Sequence, residues 1–479
     1  VTAAALVVQT GLAALVGVII AREFGRTAET DGLFAAYGVF IVLALAANAI
    51  RLVVLPPLAR ARDDRRLGQE TAAWAAALGT IALPLLVATL VAAGPLAAVL
   101  TGSGPAQARD TAAAALPLLT LAGIGQIYAG LAASALAALD DYRTAAAGYI
   151  SASIVGIVVI LVRLDEGVVA VAEGMALNAL LAVAIPVAAL ALRARRASMP
   201  AAGLRPERTT LGNRIRRAGR GTALPLGLQA AYLVCLPLAA REGVGAVTSF
   251  GYAYIAGSAI VAITAASLGL VTSVPLTRLG LDRHRVAHHV VASSWLALVA
   301  VGATAGLFAV AGEPIVAWVL GADYTAAVGT ELGRLVALFA PWMVAAIGFS
   351  VTLPLVFVVE SDRRLVLLGV LVVAVQVPLA VVGQALFGLT GLVLALACTT
   401  GVAFAGLLHL FRATGEALLG VGKATAVVGA LTVAAFGVAA LVPSAEAGGL
   451  LGLGLYALAL VVVRPGGLTS AARYLRTLG

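Results

Sequence analysis

Arg51 follows Asn48 by three residues inside the apolar stretch LFAAYGVFIVLALAANAIRLVVLPPLAR, and that spacing puts both side chains on one helical face. A guanidinium beside an amide can hold an oxyanion through charge-assisted hydrogen bonds. An arginine at the centre of a membrane helix costs on the order of 2.5 to 3.5 kcal/mol, so it is a candidate for lining a cavity. The competing reading is that Arg51, about two turns from the end of its run, snorkels to the interface. Gln126 and Tyr128, Glu173 and Asn178, and Gln229 and Tyr232 are further polar groups inside later runs. Glu173 is the one acidic candidate for ion coupling, against the reading that it occupies a solvated rim about two turns from its helix end. Tyr252 and Tyr254 have the position of an interfacial aromatic belt. Arg22 with Glu23, and Glu331 with Arg334, stand at run ends as interface ion pairs of small worth.

Other chemistries find no support. His284 and His288 in HRVAHH have metal-ligand spacing, but no acidic residue lies between them as a zincin-type site needs, so they read as cytoplasmic surface. No metal site and no cofactor is expected. Cys235 and Cys398 fall inside apolar runs and read as small buried hydrophobes. There is no Walker A loop, no recognisable Ser-His-Asp arrangement and no paired carboxylate in a loop, so neither ATP hydrolysis nor other enzymatic chemistry is expected.

The elements that must position these residues are membrane spans. The chain is 62% hydrophobic and 11% charged, with mean hydropathy +1.07, far above soluble domains. An all-α polytopic membrane protein follows, with spans expected at 3–21, 33–57, 71–93, 111–139, 144–162, 168–192, 221–240, 246–275, 290–311, 333–358, 365–384, 388–411, 424–442 and 448–463. With the amino end inside, 24 of the 31 Lys and Arg residues fall on cytoplasmic segments, so both termini are expected there. The basic linker Arg193 to Arg220 reads as a cytoplasmic loop attracted to anionic lipid rather than as a nucleic-acid site. No cleaved leader is expected ahead of the first run.

The stretch Leu33 to Arg60 occurs twice. Its echo, Val247 to Arg278, again carries a Phe and Tyr pair and ends in PLxR, with Pro57 and Arg60 matching Pro275 and Arg278 at an offset of 218. GPLAAVL from Gly94 matches EPIVAWVL from Glu313 at 219, and Asp141 and Arg143 match Asp362 and Arg364 at 221. Two six-helix lobes are therefore expected, parallel and related by a pseudo-twofold axis along the membrane normal. They are residues 1–192 and 221–411, joined by the linker 193–220, with two extra spans in 412–479. Those extra spans, apolar from Leu450 onward, are expected to serve a lipid tail. No outer loop is long enough for the catalytic domain of a membrane enzyme acting on lipid-linked sugars.

AREFGRTAETDGLFAAYGV, GAVTSFGYAYIAG running to SVPLTRLG, and GEPIVAWVLGADYTAA resemble the lipid II flippase family of MurJ (MviN) type. That family belongs to the superfamily of multidrug, oligosaccharidyl-lipid and polysaccharide (MOP) exporters. The resemblance covers about the whole chain and implies an inner-membrane flippase that moves a polyprenyl-diphosphate-linked cell-envelope precursor outward by rocking two lobes. A coupling cation or the membrane potential would drive it. The basic residues typical of that family in the first, second and eighth spans are absent: the stretches read LVGVII, GVFIVLALAAN and YAYIAG. Arg51 would then hold the head group with Asn48, Gln126, Gln229 and Tyr232, and with the rim residues Arg22, Arg241 and Arg334. The alternative is a cation-coupled multidrug exporter of the same superfamily.

Overall fold

A computed structural model describes residues 2–196, 210–266, 282–356 and 362–478. Helices carry the fold, with no strand among the described residues. In order they are α1 (Thr2–Phe24), α2 (Ala28–Asp63), α3 (Leu67–Val91), the short α4 (Ala93–Thr101), α5 (Ala106–Ala138), α6 (Tyr142–Val162), α7 (Val169–Arg196) and α8 (Leu211–Ala239). There follow α9 (Ala246–Val261), α10 (Arg283–Leu320), α11 (Ala326–Leu338), α12 (Ala340–Val356), α13 (Asp362–Leu410), α14 (Thr414–Ala439), α15 (Ala445–Val463) and α16 (Gly466–Leu478).

Among the described residues, twelve helical segments are long and apolar enough to cross a membrane. Two features raise the number to fourteen. The 23-residue α1 is itself an apolar helix. Within α13, Gly388 has φ 58° and ψ −136°. Residues eight apart in one helix stand about 12 Å apart, yet a Cβ on Gly383 would lie 2.6 Å from the Gly391 carbonyl oxygen. The chain therefore folds back at Gly388 into two spans. Exposed Leu83, Leu90, Val162, Leu386, Val433 and Leu450 keep the outer faces apolar, as lipid requires.

Compact packing divides the chain into Val1–Val247 with Asp362–Val370, and Thr248–Ser361 with Leu371–Gly479. α8 packs within the first of these units. Leu236 and Leu233 of α8 fill the space beside Gly38 of α2, and Arg214 pairs with Glu70 of α3 at 2.6 Å. At the same end of this unit Arg62 pairs with Asp140 at 2.8 Å and Arg193 pairs with Asp141. Of the basic linker, 197–209 lies outside the described residues, as do Pro275 and Arg278 of the repeated element.

In the second unit α14 and α15 pack on α10. Phe436 fills the spaces beside Gly306 and Gly452, and the Tyr456 hydroxyl donates to the Val299 carbonyl at 3.1 Å. Tyr252 and Tyr254 are not an interfacial belt. Both are buried, with Tyr252 edge-on to Tyr324 at 5.8 Å and Tyr254 against Trp342 at 5.0 Å, because aromatic rings here fill the core between α9 and α12. His284 and His288 do lie exposed, His284 bonded to Glu416 at 2.9 Å and His288 edge-on to Tyr474. Cys235 is buried as expected, but Cys398 is exposed on α13.

Candidate functional site

The first unit builds its polar site on a helix pair. α2 begins where Thr27 and Thr30 cap one another, the Thr27 hydroxyl accepting from the Thr30 N–H at 3.3 Å and the Thr30 hydroxyl from the Thr27 N–H at 2.9 Å. From there α2 and α5 run side by side in one direction: Gly32 lies on Ala108, Gly123 on Leu43, and Gly130 on Arg51. A Cβ on Gly130 would sit 3.1 Å from the Arg51 Cγ and 3.3 Å from its Cδ. The arginine stem thus occupies space that a glycine leaves open. Gln126 lies between the two glycines on α5, one turn before Gly130. Ala129 of α5, Ala152 of α6 and Ala182 of α7 form one buried cluster, and Ala133, Leu136 and Ala145 another, with Tyr149 packed against both.

Asn48 and Arg51 are exposed, and Gln126 and Tyr149 keep part of their surface. Asn48, Arg51 and Gln126 make no hydrogen bond or ion pair among the described residues. One guanidinium and two amides on the paired helices α2 and α5, with a phenol on α6 nearby, therefore keep open hydrogen-bonding capacity. That set can hold an oxyanion and the hydroxyl groups next to it.

The remaining candidates fall elsewhere. Tyr232 is fully buried behind Gly38 of α2, so it is a packing residue rather than a ligand contact. Gln229 is half-buried one turn earlier on α8 and is already engaged. Arg22 and Arg241 are exposed but belong to the opposite end of α2, some 23 residues from Arg51 and so about 35 Å along the axis. They do not join the Arg51 group. Arg334 is exposed on α11 of the second unit. Glu173 pairs with Arg163 at 2.5 Å, and Arg163 also binds Glu166, so Glu173 is the solvated rim residue.

Sequence reasoning missed three polar positions. Asp31 is 5% exposed, and its carboxylate accepts the Gly245 N–H at 2.6 Å, while the Arg26 Nε donates to the Gly245 carbonyl at 2.8 Å. Tyr149 reads as one more aromatic in an apolar run. Gln376, fully buried in α13, is the third, its signal a lone amide in sequence otherwise apolar.

The helical fold is similar to that of solved transporters of the MOP superfamily. A lipid II flippase MurJ in an inward closed conformation matches with TM-score 0.73 at 13% identity, over 96% of this chain and 98% of that chain. An inward-facing multidrug resistance MATE family transporter matches with TM-score 0.62 at 16% identity, over 86% of this chain and 98% of that one. A MOP-superfamily transporter from Pyrococcus furiosus, described as having a binding pocket of reverse polarity that suggests a different function, gives 0.56 at 17% identity, over 88% and 96%. No protein-family model matches the chain, and no curated protein does.

Proposed function

We propose that this chain is an alternating-access flippase and not an enzyme. It carries a polyprenyl-linked, phosphate-bearing cell-envelope precursor, of the class to which lipid II belongs, from the inner to the outer leaflet of a bacterial inner membrane. Both termini are cytoplasmic, and anionic lipid surrounds the basic linker. The observation that carries the reading is the exposed, unpaired Arg51 with Asn48, Gln126 and Tyr149 around it, in a fold whose likeness to MurJ extends over 96% of the chain. In this orientation the amino end of α2 faces outward. Cα–Cβ bonds tilt toward a helix's amino end, so Arg51 leans away from the cytoplasm, against the snorkelling reading. Multidrug export coupled to a cation would need a free carboxylate in the first unit. Glu173 and Asp31 are both engaged, the first with Arg163 and the second with Gly245.

The test is transport of a labelled polyprenyl-linked glycan by purified protein in proteoliposomes. The protein should speed exchange between leaflets at least tenfold, and Arg51→Ala should weaken binding by about 10- to 150-fold, the loss of one charge-assisted hydrogen bond. Arg51→Lys keeps the charge without the bidentate fork and should recover part of it. Uptake of cationic dyes with no movement of the lipid would refute the proposal in favour of an exporter.

A further inference from the structure

The exposed face of α2 is polar over a short distance only. Positions 37, 40, 44, 48, 51 and 55 follow one another at helical spacing, and in order they carry Tyr37, Phe40, Ala44, Asn48, Arg51 and Leu55. All six are exposed or half-exposed. Tyr37 and Phe40 stack on each other with ring centroids 5.3 Å apart. The polar window is therefore Asn48 and Arg51, about 4.5 Å apart along the axis, bounded by Ala44 and Leu55. On the neighbouring helices are Gln126 of α5, one turn before the Gly130 that receives the Arg51 stem, and Tyr149 of α6, packed against the Ala129 and Ala133 clusters beside Gly130.

Charge sets what can occupy that window. Among the described side chains of α2, α5 and α6, Arg51 is the one basic residue away from the helix ends, the others being Arg60, Arg62, Arg109 and Arg143. A phosphodiester joining a polyprenol to a sugar carries one negative charge. A diphosphate carries two, and within α2, α5 and α6 the second meets no cation away from the helix ends. On α8, which packs on α2, Arg214 is paired with Glu70 and Arg220 is likewise engaged, so that leaving the second charge unpaired costs much. The amides of Asn48, one turn before Arg51, and of Gln126, one turn before Gly130, offer donors and acceptors at the span of a single sugar ring attached directly to phosphate.

We infer that the head group held here is a sugar on a single phosphate, a polyprenyl-monophosphate glycoside, with the phosphate on Arg51 and Tyr149 and the sugar hydroxyls on Asn48 and Gln126. The inference rests on the flippase reading and departs from the diphosphate that the sequence resemblance implies. Proteoliposomes would hold either a polyprenyl-monophosphate hexose or a polyprenyl-diphosphate hexose of equal chain length. The monophosphate should cross at least tenfold faster. Asn48→Ala and Gln126→Ala should each slow it several-fold. Leu55→Arg, which adds a cation one turn away on the same face, should shift the preference toward the diphosphate. Equal rates, or a preference of the parent for the diphosphate, would overturn the inference while leaving the flippase reading in place. If neither lipid moves, both fail.

Discussion

Removing the Asp31 carboxylate should loosen the first unit measurably. Gly245 sits in a buried turn at φ 83°, a region open to glycine, and both of its backbone polar groups rely on side chains of the α1–α2 connection. Its N–H is held by Asp31 at 2.6 Å and its carbonyl by Arg26 at 2.8 Å. Asp31→Ala removes one charge-assisted hydrogen bond and strands a buried donor, a loss of about 1.5 to 3 kcal/mol. At about 2 to 4 °C per kcal/mol for a unit of this size, the unfolding midpoint should fall by roughly 3 to 12 °C. Asp31→Asn keeps an acceptor without the charge and should lose about half as much. Gly245→Ala should lose comparably, from roughly 1 to 2 kcal/mol of backbone strain and from a Cβ driven into the Arg26 side chain. The assay is thermal unfolding of the detergent-purified protein. An Asp31→Ala midpoint equal to the parent's would refute the reasoning, because a buried N–H cannot lose its only carboxylate acceptor at no cost.

Glu173→Gln should leave any dependence of transport on a sodium or proton gradient unchanged, since Glu173 is committed to Arg163 at the rim; loss of that dependence would restore it as a coupling site. Asp141 caps α6, and hydrogen bonds from Thr144, then the charge of Arg193, hold its carboxyl below the ordinary aspartate range. A depressed folded value gives stability that is present above about pH 4 and lost as pH falls through the folded value, so Asp141→Asn should flatten the fall in unfolding midpoint on acidification below about pH 4. An identical acid profile would remove Asp141 from that account. Gly391→Val should drive a side chain into the Gly383 carbonyl, where two backbones meet and neither can yield, costing roughly 1 to 3 kcal/mol. A monodisperse variant with the parental midpoint would show that the α13 hairpin is looser than its glycines imply.

The fourteen spans were legible because lipid demands length and apolarity, and both are properties of a run of residues. The packing of α8 on α2 and α3 was not legible, because it depends on contacts far apart in sequence, Gly38 with Leu236 and Glu70 with Arg214. A basic linker looks like a boundary whichever side the next helix packs on. Tyr252 and Tyr254 were misread for a related reason. Tyrosine suits both an interface and a core, and the choice lay with Tyr324, Phe339 and Trp342 from elsewhere in the second unit.

Arg51 was visible from the sequence because a charge within an apolar run is costly wherever the helix points. Its surroundings were not, since they arise from the way α2 and α6 share α5 as a floor. LAGIGQIYAG contains glycines at 123, 125 and 130, and nothing local tells that Gly125 meets Ala179 whereas Gly130 receives the arginine stem. Gln126 stands one turn before Gly130 on α5, and Tyr149 packs against the Ala129 and Ala133 clusters on either side of it, placements that only the packed helices reveal. The rim arginines are excluded by the same geometry, because Arg22 and Arg241 share the end of α2 where Asp31 holds Gly245. Within α2, α5 and α6 the charge offered away from the helix ends is therefore that single guanidinium, and on the neighbouring α8 Arg214 is committed to Glu70 and Arg220 is likewise engaged.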